Sequence, residues 1–241
     1  EPAAEPEKPE NGFEKLGLPD EVIEAVKRVG FEQPSPIQAQ TIPLLMDGRD
    51  VVGLAQTGTG KTAAFALPVL SQIDPEKRYP QALVLAPTRE LALQTSQVAK
   101  TLGKHLGVEI MVSTGGTTLR DDILRLGQTV HMLVGTPGRI LDLAGKGVAD
   151  LSQCTTFVMD EADKLPLLKS AFRLLVGKLK DTDTVSIVTY AGNAGVVARG
   201  GRLHRRDDDA RSESYAEILA RAGVAEVEGD RKSTRLNSSH T

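Results

Sequence analysis

Residues 55–62 read Ala-Gln-Thr-Gly-Thr-Gly-Lys-Thr, and residues 160–163 read Asp-Glu-Ala-Asp. The first run has the composition of a loop that wraps phosphate. Gly58 and Gly60 let the backbone approach phosphate oxygens closely. The amides of Gln56, Thr57, Gly58, Thr59 and Gly60, with the positive end of a following helix, stabilise negative charge. Lys61 adds a point charge for the outer phosphates, and the Thr62 hydroxyl is of the type that ligates magnesium. Such loops generally begin with glycine and this one begins with Ala55, so a glycine-rich strand-to-helix turn is the competing reading. The second run supplies carboxylates behind the apolar stretch Thr156–Met159. Asp160 can hold magnesium directly or through water, and Glu161 can orient or deprotonate an attacking water. Alone, an Asp-Glu pair reads as two solvated acids; behind a phosphate loop, the pair implies a site that binds ATP and cuts its last phosphate. The candidate catalytic residues are Glu161, Lys61 and Asp160, and the candidate magnesium ligands are Thr62 and Asp160.

Such a site needs elements that bring the two runs together. The apolar run 51–55 enters the loop, and a helix is predicted from Lys61 to about Leu70. Further strand-like runs are Ala82–Ala86, Glu109–Ser113, Val130–Gly135, Thr156–Asp160 and Val185–Tyr190. Helical patterns at Glu90–Gly103 and Leu119–Leu126 separate several of them. Earlier helices are predicted over Pro19–Val29, stopped by Gly30, and from Pro36 to about Met46. Strands alternating with helices predict an α/β fold with a parallel sheet covered on both faces. In such sheets the ligand sits at the carboxyl ends of the strands, where both runs fall. Residues 166–180 read as an amphipathic helix, 192–211 as loop, and 214–223 as a short capped helix. The acidic, proline-rich start and the last dozen residues carry no apolar period.

The 241 residues carry a net charge of −3, so no global positive field draws in nucleic acid and any such contact must use a local patch. The single cysteine, Cys154, excludes an internal disulfide and suits a reducing compartment. There is no basic-then-apolar leader and no apolar run of spanning length, which predicts a soluble cytoplasmic protein. The absence of tryptophan and 3% aromatic content argue against broad base-stacking platforms. No zinc-like cluster is present, and His105 reads as a structural or solvated residue.

Over residues 13–165 the chain resembles the DEAD-box ATP-dependent RNA helicases of superfamily 2. The stretch Gly30-Phe-Glu-Gln-Pro-Ser-Pro-Ile-Gln38 resembles the adenine-reading Q motif, with Phe13 at the usual upstream distance. Residues 55–62 match motif I, in which alanine commonly takes the first place. Pro87-Thr-Arg-Glu-Leu-Ala92 matches motif Ia, Gly115-Gly116 the glycine doublet, Thr136-Pro-Gly-Arg139 motif Ib and Asp160–Asp163 motif II. The resemblance implies a RecA-like P-loop NTPase fold over 13–191, a tail at 1–12 and an irregular extension at 192–241. It implies ATP and magnesium as cofactors, and for a monomer it implies single-stranded or structured RNA, bound without regard to sequence, as partner, with protein partners left open. Gln38 would read adenine through its amide, with Phe13 and Phe31 beside the base; a capping box with Ser35 is the competing role for Gln38. Thr88, Arg89, Gly116, Thr136, Gly138 and Arg139 would lie on the RNA face and grip phosphates.

The sequence also departs from the family. Tyr190-Ala191-Gly192-Asn193 stands where a Ser-Ala-Thr motif belongs, which removes the expected partner of Asp163. The 241 residues are read as holding one RecA-like domain without the second, source of arginine fingers in the family, so turnover is expected to fall by about 10³-fold or more, with little unwinding. A nucleotide-dependent binding module is the alternative reading. Residues 168–197 resemble part of a von Willebrand factor A domain without its metal motif, and Arg231–His240 resemble translated sequencing adapter. Residues 13–80 resemble bacterial members and 88–165 the eukaryotic subgroup tied to mRNA decapping, so the chain reads as a composite.

Overall fold

The computed structural model describes residues 11–54, 58–116, 118–160, 184–191, 195–199 and 203–204. A 3-10 turn at Gly12–Leu16 precedes helices α1 (Asp20–Arg28) and α2 (Pro36–Met46). Strand β1 (Asp50–Leu54) is followed by α3 (Lys61–Gln72), β2 (Ala82–Leu85) by α4 (Arg89–Gly103), β3 (Ile110–Ser113) by α5 (Leu119–Leu126), and β4 (Met132–Gly135) by α6 (Pro137–Gly145). Strands β5 (Thr156–Met159), β6 (Thr184–Ala191), β7 (Gly195–Arg199) and β8 (Leu203–His204) complete the order.

The sheet runs β3-β4-β2-β5-β6-β1-β7, with β8 paired to the start of β6. Every pairing from β3 to β1 is parallel. Alternate strand residues enter separate cores, as the two-residue side-chain period requires. Val84, Met132, Val134 and Val158 join α1 to α4 on one face, while Leu83, Leu85, Leu133, Phe157 and Met159 meet α6 and Leu151 on the other. Apolar burial on both faces is the reason these strands read as continuous hydrophobic runs.

The predicted strands through β6 and the predicted helices through α5 are present, with ends shifted by a few residues at most. Three features differ from expectation. The 3-10 turn and α6 were not singled out in the sequence; α6 starts with Pro-Gly, which reads as turn punctuation although proline suits the first helical position. The stretch 192–211 was expected as loop, but it contains β7, antiparallel to β1, and β8, antiparallel to the start of β6. Neither short strand has enough apolar period to announce itself; each is fixed by a distant partner. The helices expected over 166–180 and 214–223 lie outside the described residues. No helix among the described residues is long and apolar enough to cross a membrane.

Cys154 is buried, and its Sγ–H donates to Pro80 O at 3.2 Å. Burial, with a lesser push from Asp150, raises the thiol from 9.0 to about 12. The folded state therefore holds this proton more tightly than the unfolded chain. Its contribution is complete below the unfolded value and lost as pH rises through the folded one. A thiol-specific reagent at mildly alkaline pH should label Cys154 only as fast as the chain opens, and stability should decline between 9.0 and about 12. Rapid labelling of the native protein would contradict this burial.

Candidate functional site

Parallel pairing puts the carboxyl ends of β2 to β6 and β1 at one edge. Beyond the strands, backbone hydrogen bonds continue across it: Asp160 N donates to Leu85 O at 2.9 Å, Ala86 N to Gly135 O at 3.0 Å and Thr136 N to Ser113 O at 3.4 Å. These rungs fix the loops after β5, β2, β4 and β3 against one another. Leu54 aligns with Ala191 and Met159 with Thr189, so Asp160 stands near the level where β1 ends. The two are separated only by β6, about 10 Å across two interstrand spacings.

At the β1 end, Gly58 and Gly60 have φ of +85° and +88°. Lys61 begins α3 and is buried; Thr62 is half-buried beside it, and Thr59 is half-buried ahead of them. Gln56, Thr57 and Glu161 lie outside the described residues. The loop is tied to the start of α2. Ser35 Oγ donates to Thr59 O at 2.8 Å, and Gln38 Nε2 donates to Gly60 O at 3.1 Å. Gln38 Oε1 accepts from Ser35 N at 2.8 Å, the helix-capping contact weighed in the sequence. One buried amide thus spends its donor on the loop and its acceptor on the cap, the same pair of functions that an adenine edge would need. A Cβ on Gly60 would lie 2.6 Å from Gln38 Nε2.

Phe13 does not meet its expectation. It is 0% exposed and stacks on Phe31 with centroids 6.3 Å apart, so the ring belongs to the core and is not offered to a base. Asn11 Nδ2 donates to Phe31 O, and Gly12 N to Glu32 O, closing the 3-10 turn over this ring. Phe31 is half-exposed and remains at the surface.

Asp160 is buried, and its Oδ2 lies 3.4 Å from Thr95 Oγ1 on α4. The same helix starts at Arg89, with Thr88 as its cap accepting from Leu91 N at 3.2 Å. No group of three or more His, Cys, Asp or Glu side chains gathers among the described residues. The buried Asp160 carboxylate, on the sheet edge that carries the phosphate loop, fits magnesium, which takes few protein ligands and completes its shell with phosphates and water.

The remaining candidates follow β2, β3 and β4, three neighbouring strands. Arg89 and Gly116 are exposed, and a Cβ on Gly116 (φ +99°) would lie 2.7 Å from Arg89 Nη1. Thr136 caps α6, Gly138 is exposed in its first turn, and Arg139 pairs with the buried Asp122 at 3.2 Å. Sequence reasoning did not find Asp122, Ser113 or Thr95. The signal for Asp122 was available: with Leu119 and Leu126 it holds the inward spacing of α5, an acid where an apolar residue is expected.

A model of the family described as DEAD/DEAH box helicase matches residues 35–188, from the Ser35 cap through most of β6. The chain belongs to the DEAD/DEAH box helicase family. The putative ATP-dependent RNA helicase ste13 of Schizosaccharomyces pombe is 64% identical over 153 residues, covering 64% of this chain and 32% of that protein. The ATP-dependent RNA helicase DHH1 of Coccidioides immitis is also 64% identical over 153 residues, or 30% of its length. The chain therefore spans about a third of the length of the curated relatives it matches. Among solved structures, S. cerevisiae Dbp5 bound to RNA and ADP BeF3 superposes with a TM-score of 0.69 at 30% identity, covering 87% of this chain and 50% of that one. A DEAD box protein from Methanococcus jannaschii gives 0.68 at 27% identity, covering 88% and 53%. The α/β architecture is thus the RecA-like fold of these helicases.

Replacing Gly60 by Ala should force Gln38 off the loop and strain the positive φ, costing about 1–2 kcal/mol and weakening nucleotide binding. Gly115→Ala, with open space around its Cβ, should change neither. Equal thermal shifts and nucleotide affinities in the two variants would show that the loop is not held as described.

Proposed function

We propose that this chain is the nucleotide-binding domain of an ATP-dependent RNA helicase, which binds ATP after β1 and RNA after β2, β3 and β4. The observation that carries the reading is the shared edge: Lys61 and its glycine loop, Asp160 and the Arg89–Gly116 pair project from parallel strands of one sheet. ATP phosphates would lie on the amides at Gln56 to Gly60, with Lys61 on the outer phosphates and the start of α3 stabilising their charge. Magnesium, held by Thr62 and Asp160, would offset charge on the outer phosphates. Glu161 would hold the attacking water, and its proton would pass toward that carboxylate. Gln38 would exchange its contacts with Gly60 and Ser35 for the adenine edge, and Phe31 would lie beside the base. Thr88, Arg89, Gly116, Thr136 and Gly138 would contact the RNA backbone, which suits binding without base readout.

ATP hydrolysis by the purified chain should rise with single-stranded RNA and vanish with Lys61→Ala. Glu161→Gln should abolish hydrolysis while leaving nucleotide affinity within about threefold, since the base acts after binding. A chain that binds nucleotide but shows no hydrolysis above the Lys61→Ala blank would replace the enzymatic reading with that of a binding module.

A further inference from the structure

Asp122 lies in none of the motifs described above, yet it is 0% exposed, an unusual place for a carboxylate. Its Oδ2 accepts from Ser113 Oγ at 2.5 Å and from Arg139 Nη1 at 3.2 Å. The three residues come from three elements: Ser113 ends β3, Asp122 is in α5 and Arg139 is in the first turn of α6. The Arg139 side chain is only 12% exposed, so its guanidinium is directed to the interior carboxylate. Close approach here is built in: a Cβ on Gly135 would lie 2.5 Å from Ser113 O, and Thr136 N donates to that same carbonyl. The glycine doublet follows the end of β3 one residue after Ser113, beyond Thr114, and Gly138 directly precedes Arg139.

We infer that Asp122 is a positioning residue for the RNA face: with Ser113 it captures Arg139 inside the protein and so fixes the loops after β3 and β4 relative to each other. This rests on the RNA reading above and departs from the sequence expectation at one residue. Arg139 does not itself grip phosphate; the phosphate meets the exposed amide of Gly138, a first-turn donor that no carbonyl within α6 can take. The Arg89 guanidinium, close to Gly116, is an exposed cation on this face. A buried charge pair keeps its geometry because separation would leave a desolvated charge unpaired, and this makes it a stiffer anchor than a surface arginine.

The test is RNA affinity of the full chain for a labelled oligouridine strand across a salt series, with affinity for a non-hydrolysable ATP analogue read alongside. Asp122→Asn should weaken RNA binding by about tenfold, the scale of one misplaced charge-assisted contact, and Ser113→Ala should weaken it less. Nucleotide affinity should stay within about twofold in both, since the phosphate loop lies at the far flank of the sheet. Arg139→Gln should weaken RNA binding without changing the slope of log affinity against log salt. The double variant Asp122→Asn/Arg139→Gln should lose no more than the worse single one. A slope lower by about one in Arg139→Gln would make Arg139 a phosphate contact and overturn the inference. Unchanged RNA affinity in both Asp122→Asn and Ser113→Ala would overturn it, as would nucleotide affinity falling in step with RNA affinity. If Asp122→Asn does not fold, Ser113→Ala and Arg139→Gln decide the matter. An unsubstituted chain that binds nucleotide but no oligouridine would instead sink the RNA reading itself, and this inference with it.

Discussion

Parallel strand pairing is the constraint on which the rest depends. Because each paired strand from β3 to β1 points the same way, every connection leaving a carboxyl end emerges at one edge. The backbone rungs from Asp160 to Leu85, Ala86 to Gly135 and Thr136 to Ser113 extend that alignment beyond the strands into the loops. Residues distant in sequence thereby hold fixed places relative to one another without direct side-chain contact. Strand order then sorts them: the candidate RNA residues follow β2, β3 and β4, and the phosphate loop follows β1, with β5 and its Asp160 next to β2. Helix α4 runs between the two groups, capped by Thr88 and touching Asp160 through Thr95.

The polar contacts at this edge are of two kinds. Gln38 and Ser35 hold the phosphate loop through neutral hydrogen bonds to the carbonyls of Gly60 and Thr59. Each such bond is worth on the order of 1 kcal/mol net, little enough for a bound nucleotide to replace. Asp122 and Arg139 form a buried ion pair, whose breakage by loss of one partner costs about 3–5 kcal/mol. The first kind suits a part that must exchange partners, the second a part that must stay still. The division follows the chemistry proposed for each flank, with rearrangement at the nucleotide and a rigid grip on a backbone.

Much of the fold was legible because apolar runs and helical periods alternate with little interruption through Met159. The phosphate loop was legible from Gly58, Gly60 and Lys61, since few other functions require glycine, glycine and lysine at a strand-to-helix turn. What stayed hidden was tertiary. Phe13 sits at the spacing of a base-stacking ring, yet Phe31 and the 3-10 turn bury it. Strand β7 exists because β1 offers it an edge. The inward spacing of Asp122 on α5 could be read from the sequence, but its partner could not: Arg139 meets it only once α5 and α6 are packed. Spacing reports which residue types could act; burial decides which atoms are free to do so.

The most direct test of the shared edge is hydrogen–deuterium exchange of the chain alone, with nucleotide, and with nucleotide plus single-stranded RNA. Nucleotide should slow exchange at residues 35–38 and 56–62, and RNA should add protection at residues 88–89, 115–116 and 136–139, all at the carboxyl ends of the strands. Protection by RNA at the opposite end of the sheet, around Arg78, Glu109 and His131, would contradict the account.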